Sequence, residues 1–391
     1  MPSNDNNNSN SRGRNARGRT ARHSNNQRPT RSGSPAPATR SRTFVQNDPI
    51  NVTSEIPSVA TSGTSFSINF EGGQTPRNDK RAPKQSRSRK LFTDDSLTAE
   101  QSFHKYEHKK TPVTVLGKKG KGRENGQFNW PRAIAVCAKS GKLFVSDSSN
   151  HRIQVFDSAF KFSAVVGSYG QNEGEFDCLA GVATTADGDV VVCDRYNHRV
   201  QVFDASGSFK RAFGSEGSGT GELNYPWGVA CDSTGLIYVC DKENHRVQVF
   251  RQDGEFVRKF GKLGHHPGEF ENPHFVTISP DNKVVVSDCS NHRIQMFSLT
   301  GNYIKSFGHN GTGNGQLKSP KGVAVDAQGF IVVADSGNNR VQVFRANGDH
   351  FCWFGGSGTG AGQFRGIEGL ALTADGRVVV ADKDNHRIQI F

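Results

Sequence analysis

Residues 241–250 read Asp-Lys-Glu-Asn-His-Arg-Val-Gln-Val-Phe, and the phrase Asp-x-x-Asn-[His/Asn]-Arg-[Ile/Val]-Gln-[Val/Met/Ile]-Phe occurs six times in the chain. Its leading residues are Asp147, Asp194, Asp241, Asp288, Asp335 and Asp382, each 47 residues after the last. A constant period of this length marks repeated supersecondary units that bury their apolar faces only against one another. In the third unit, alternation places strands at Gly228–Asp232, Leu236–Asp241, Arg246–Phe250 and Glu255–Phe260. Asp-Ser-Thr-Gly, Lys-Glu-Asn-His and Gln-Asp-Gly supply the turns between them. Four short antiparallel strands in about 40–50 residues make one propeller blade, and six blades fall within the range of about 4–8 that closes a ring. The predicted fold is all-β, a six-bladed propeller.

The closure can be read as well. Fourth strands end on Val166, Phe213, Phe260, Phe307 and Phe354, each followed by glycine, but the sequence reaches Phe391 with only three strands of the sixth unit. Thr111–Leu116 (TPVTVL), running into Gly117, has the register of the missing strand. It is expected to pair with the last blade and cover an edge that would otherwise invite association. The propeller is therefore placed at 111–391, with 91–110 a linker holding a short helix around Asp95–His108.

Residues 1–90 are rich in Ser, Asn, Arg, Gly and Pro, and are expected to be a disordered basic region that cannot bury enough apolar surface to fold. Residues 1–110 hold 19 Lys and Arg against 9 Asp and Glu, so they carry most of the net charge of +12. Nine arginines and no acid lie between Arg12 and Arg42. Such an arm attracts polyanions; as a bare linker it would be a solvated spacer. Lys80–Lys90 is a second basic run, readable as a nuclear signal or as an extension of the arm. The seven cysteines form no CxxC pair, and no secretory leader or 18-residue apolar stretch is present. These features read as reduced thiols in a cytoplasmic protein that also enters the nucleus, with no membrane partner.

Six units of the type NHRIQVF, with P-x-G-V-A-x-D starts and F-G-x-x-G-x-G connectors, resemble NHL repeats. They are most similar to those of the tripartite-motif/NHL (Brat-like) RNA-binding family. The clustered Cys/His zinc ligands of a RING or B-box are absent from this sequence. The resemblance implies binding of single-stranded or hairpin RNA and post-transcriptional regulation, by repression or decay of transcripts. In RNA-binding members the residue before the Pro of P-x-G lies at the pore mouth and contacts RNA. The matching positions are Trp130, Cys178, Tyr225, Asn272, Ser319 and Gly366. None is arginine, although Lys318 and Arg365 stand one residue earlier.

Successive loops of a meander alternate between its ends, so interblade loops share one face, the top, with the loops between second and third strands. The loop into blade one carries Lys118, Lys119, Lys121, Arg123 and Arg132, and the loop into blade five carries Lys318 and Lys321. Arg365 leads into blade six, where Glu368 is expected to offset it. The loops into blades two and three are acidic through Glu173, Glu175, Asp177, Glu216 and Glu222. A basic sector over blades five, six and one is expected, with Trp130, Tyr196, Tyr225 and Trp227 as stacking surfaces and His274 as a further contact. Trp130 and Trp227 serve equally well as packing.

The rival readings are a protein-binding scaffold, including substrate recognition linked to ubiquitination, and an enzyme. No central carboxylate or convergent histidine cluster is evident beyond repeat residues, so the chain is read as non-catalytic, without cofactor, metal or small-molecule substrate. His151, His198, His245, His292 and His386 recur once per blade, as do the leading aspartates and Arg152 with its equivalents. All are read as loop-fixing residues, and Phe128, Phe176, Phe270 and Phe364 as plugs between blades.

Overall fold

The computed structural model describes residues 105–117 and 120–391. The expectations for residues 1–104, including the arginine arm and most of the linker, and those for Lys118 and Lys119 lie outside the described residues. Six four-stranded antiparallel sheets make up the domain. In blade three the strands run outward from the axis as Pro226–Cys231, Ile237–Asp241, Arg246–Phe250 and Phe256–Phe260. The innermost strands of successive blades pack side by side around the channel, where a Cβ on Gly228 would stand 2.5 Å from the His274 carbonyl oxygen. Glycine allows that approach here and at Gly181, Gly322 and Gly369, whereas Ala133 and Phe275 fill the same slot in blades one and four.

Blade six is completed from the other end of the chain. Thr114–Leu116 pairs antiparallel with Arg387–Ile390, Val115 facing Gln389. The clasp also reaches further back than Thr111. Tyr106, in the helical turn 105–107, is buried beside Phe330, with its hydroxyl donating to Asp326 Oδ2 at 2.8 Å. Lys109 Nζ donates to the Phe391 carbonyl at 3.0 Å.

The repeated phrase is a hydrogen-bond circuit. Asp241, with no exposure, accepts from Asn244 Nδ2, Arg246 Nε, Gln248 Nε2 and the backbone N–H of Asn224 at 2.7–3.0 Å. Arg246 and Gln248 also donate to carbonyls of the interblade loop, at Gly219 and Glu222. A buried charge kept in this way needs every donor, and the same set surrounds each leading aspartate. The fifth residue of the phrase sits in the left-handed region, with φ 51–56° at the five histidines and Asn339. Its ring Nδ1 accepts the backbone N–H of the next blade's residue ahead of the inner strand, as His292 does from Ser319 at 2.9 Å. In the fifth unit Asn339 Oδ1 replaces it, accepting from Gly366 at 2.8 Å. Phe128, Phe176, Phe270 and Phe364, with Leu223 and Leu317 in the other units, are fully buried.

Candidate binding face at the channel mouth

Each inner strand opens with a residue in the left-handed region, Trp130, Cys178, Tyr225, Asn272, Ser319 or Gly366 (φ 46–60°). In five blades a β-bulge follows, as between Pro226 and Val229. A bulge re-aims the side chains it contains, here those of Arg132, Trp227, His274, Lys321 and Glu368. The residue after each leading aspartate begins the second-to-third-strand loop on the same face, at Ser148, Arg195, Lys242, Cys289, Ser336 and Lys383. Two rings therefore meet above a channel lined by inner-strand residues such as Ala135, Ala230 and Ala371, with a volume of about 250 Å³.

Glu368 is the centre of this mouth. Its Oε1 accepts from Arg132 Nη1 at 3.3 Å and its Oε2 from Lys321 Nζ at 2.8 Å, with Lys383 Nζ at 3.7 Å and His274 Nε2 at 3.9 Å. One carboxylate can meet residues of blades one, four, five and six only at the axis. Burial alone would raise its pKa; Lys321 and Arg132 more than reverse this and hold it at about 2. Burial lowers His274 to about 3, so its ring is neutral at physiological pH.

Across the mouth stands Trp227, only 5% exposed. Guanidinium carbons of Arg195 and Arg132 lie 4.5 and 4.9 Å from its ring centroid, Lys242 Nζ at 5.5 Å, and the His274 ring at 4.6 Å. Arg195 extends the stack outward to Tyr196 (4.4 Å) and Tyr225 (5.5 Å), whose rings meet edge-on. Burial, then the neighbouring Arg132, pulls the Arg195 pKa down.

The residues expected at the site differ in exposure. Lys121, Arg123, Trp130, Tyr196, Lys318 and Arg365 are exposed on the top loops, and Tyr225, Asn272 and Ser319 are half-buried there. Arg132 and Lys321 are committed to Glu368, and His274 and Trp227 are buried, so Trp227 packs the mouth and offers no open face for stacking. Two expectations are corrected. A central carboxylate does exist, and Glu368 turns inward under its bulge to neutralise Arg132 and Lys321, leaving Arg365 exposed. Nor is positive charge confined to blades five, six and one, because Arg195 and Lys242 bring it from blades two and three. The signal for Arg195, Lys242 and Lys383 was in the sequence, at the variable position after each leading aspartate.

His151, Asp177 and Cys178 bring possible metal-ligating atoms within 4.8 Å of one another. The His151 Nδ1 lone pair is already taken by the Cys178 N–H at 3.0 Å, as in the other repeats. Among the described residues no helix is long and apolar enough to cross a membrane.

Six radial blades, a polar mouth and a chain-end clasp define the described domain as a closed β-propeller of the binding-platform type. Its blades are NHL repeats, matching that family at residues 128–156, 176–203, 223–250, 270–297, 317–344 and 364–391. The RING finger protein nhl-1 of Caenorhabditis elegans is 48% identical over 75 residues, which is 19% of this chain and 7% of that protein. Among solved structures, a gluconolactonase from Xanthomonas campestris superposes with a TM-score of 0.52 at 16% identity, covering 68% of this chain and 88% of its own. A streptogramin B lyase superposes with a TM-score of 0.51 at 14% identity, covering 68% and 93%. These likenesses show the fold alone. They still correct the expectation of a non-catalytic chain, since two enzymes share this architecture and the carboxylate thought missing is present.

Proposed function

We propose that the top face binds single-stranded or hairpin RNA and that the protein acts in post-transcriptional regulation of the transcripts it holds. The observation that carries this reading is the convergence of five cations from five blades on the channel mouth, with Arg132, Lys321 and Lys383 around Glu368 and Arg195 and Lys242 over Trp227, beside the exposed Trp130 and Tyr196. Lysines and arginines hold phosphates, and exposed rings stack bases at about 1–3 kcal/mol each. The exposed rim cations Lys121, Arg123, Lys318 and Arg365 extend the field outward.

The test is crosslinking and sequencing of RNA bound to the full chain, followed by titration of a recovered oligonucleotide. Affinity should fall with salt by about 0.7 in the log–log slope per phosphate contact. Lys318→Glu combined with Tyr196→Ala should weaken binding at least about tenfold without unfolding, because neither side chain is buried. The acidic residues Glu173, Asp177 and Glu216 favour a second reading, a basic protein surface docked over blades two and three. Recovery of a protein and no RNA would replace the first reading with the second.

A further inference from the structure

We propose that the channel mouth is a seat for a phosphomonoester, so that the propeller prefers RNA bearing a 5′-phosphate; the source of that phosphate rests on the RNA reading above. Among the described residues, Trp227 Nε1 and Arg195 Nε are buried with no acceptor in the protein. A buried donor without an acceptor costs about 1–3 kcal/mol, and two stand within one stack, since the Arg195 guanidinium lies 4.5 Å from the Trp227 ring. Among the described residues Arg195 forms no ion pair, and it has Arg132 as a like-charged neighbour. Lys242 also lies over this indole and is ion-paired with Glu243 of its own loop. Glu368 answers Arg132 and Lys321, and Glu243 answers Lys242, which leaves the Arg195 guanidinium over Trp227 as the charge without a counter-ion among the described residues.

The class of anion follows from charge and from shape. A phosphomonoester carries about −1.5 to −2 charges near neutral pH and offers three strong acceptor oxygens, which suits two orphan donors and neighbouring cations better than a single-charged diester. The seat lies recessed on the axis, with Arg132 and Lys321 only 12% and 18% exposed and Trp227 5%. An internal phosphate would have to bring the strand down to the axis and out again, whereas a terminal phosphate enters from one side. Bases behind it would then lie toward Tyr196 and Tyr225, which continue the stack outward from Arg195.

The test compares one oligonucleotide with a 5′-phosphate or a 5′-hydroxyl, by fluorescence polarisation on the full chain, with inorganic phosphate as competitor. The expected result is at least an about tenfold preference for the phosphate. That preference should fall to about twofold or less in Arg195→Gln and in Trp227→Phe, which keeps the ring and removes the donor. Equal affinity for both ends would overturn the seat and leave RNA binding standing. Binding of inorganic phosphate that is lost in both variants, with no RNA bound at either end, would uphold the seat and overturn the RNA reading. No binding of any of the three would overturn both.

Discussion

Tyr106→Ala should destabilise the propeller by about 4 kcal/mol, although the residue lies ahead of all six repeats. The Tyr106 ring is 1% exposed and packs 5.9 Å from Phe330, in the cluster that contains Phe354 and Phe391. Truncating a large buried aromatic costs about 3–5 kcal/mol. Loss of the hydroxyl adds about 1 kcal/mol or less, because Asp326 keeps Lys105 and the backbone N–H groups of Gln328 and Phe330. Tyr106→Phe isolates that second component and should cost about 1 kcal/mol. Urea unfolding of the full chain, followed by tryptophan fluorescence, measures both. If Tyr106→Ala lowered stability by less than about 1 kcal/mol, residues 105–110 would be a passive tether and the clasp would reduce to Thr114–Leu116.

Two further outcomes follow from the ring. Acid should weaken the fold in two stages: His274, lowered by burial to about 3, contributes stability at neutral pH that is lost as pH falls from about 6.5 toward 3, and Glu368, held at about 2, contributes stability lost between about 4.5 and 2. Unfolding free energy measured against pH should therefore begin to fall near pH 6.5 in the parent protein, and later in His274→Gln if the upper stage belongs to that ring. His245→Ala should cost about 1 kcal/mol by freeing the Asn272 N–H, whereas His245→Asn should cost clearly less, because Asn339 already makes the equivalent bond; equal losses in a thermal melt would show that the histidines act by packing instead.

The spacing of the six aspartates predicted the blades because each blade repeats one local problem, a buried carboxylate and a set of donors at fixed offsets, and local problems are legible along a chain. The closing strand was legible for the same reason, since the sixth unit lacked one strand and Thr111–Leu116 had its register. The roles of Glu368 and Arg195 were not. Both are visible along the chain as charges at variable positions of the motif, but Arg132 and Lys321 meet Glu368, and Trp227 meets Arg195, from other blades.

Six four-stranded units, their interlocking phrase and their closure by an N-terminal strand can be read along the chain, because periodic spacing and turn chemistry act within each unit. Which charges meet depends on the closed ring. Arg132 and Glu368 are 236 residues apart and become partners at 3.3 Å because the ring brings blade six against blade one and inner-strand bulges turn both side chains toward one axis. An ion pair needs its N and O atoms within about 4 Å, and that distance exists only after the ring has closed.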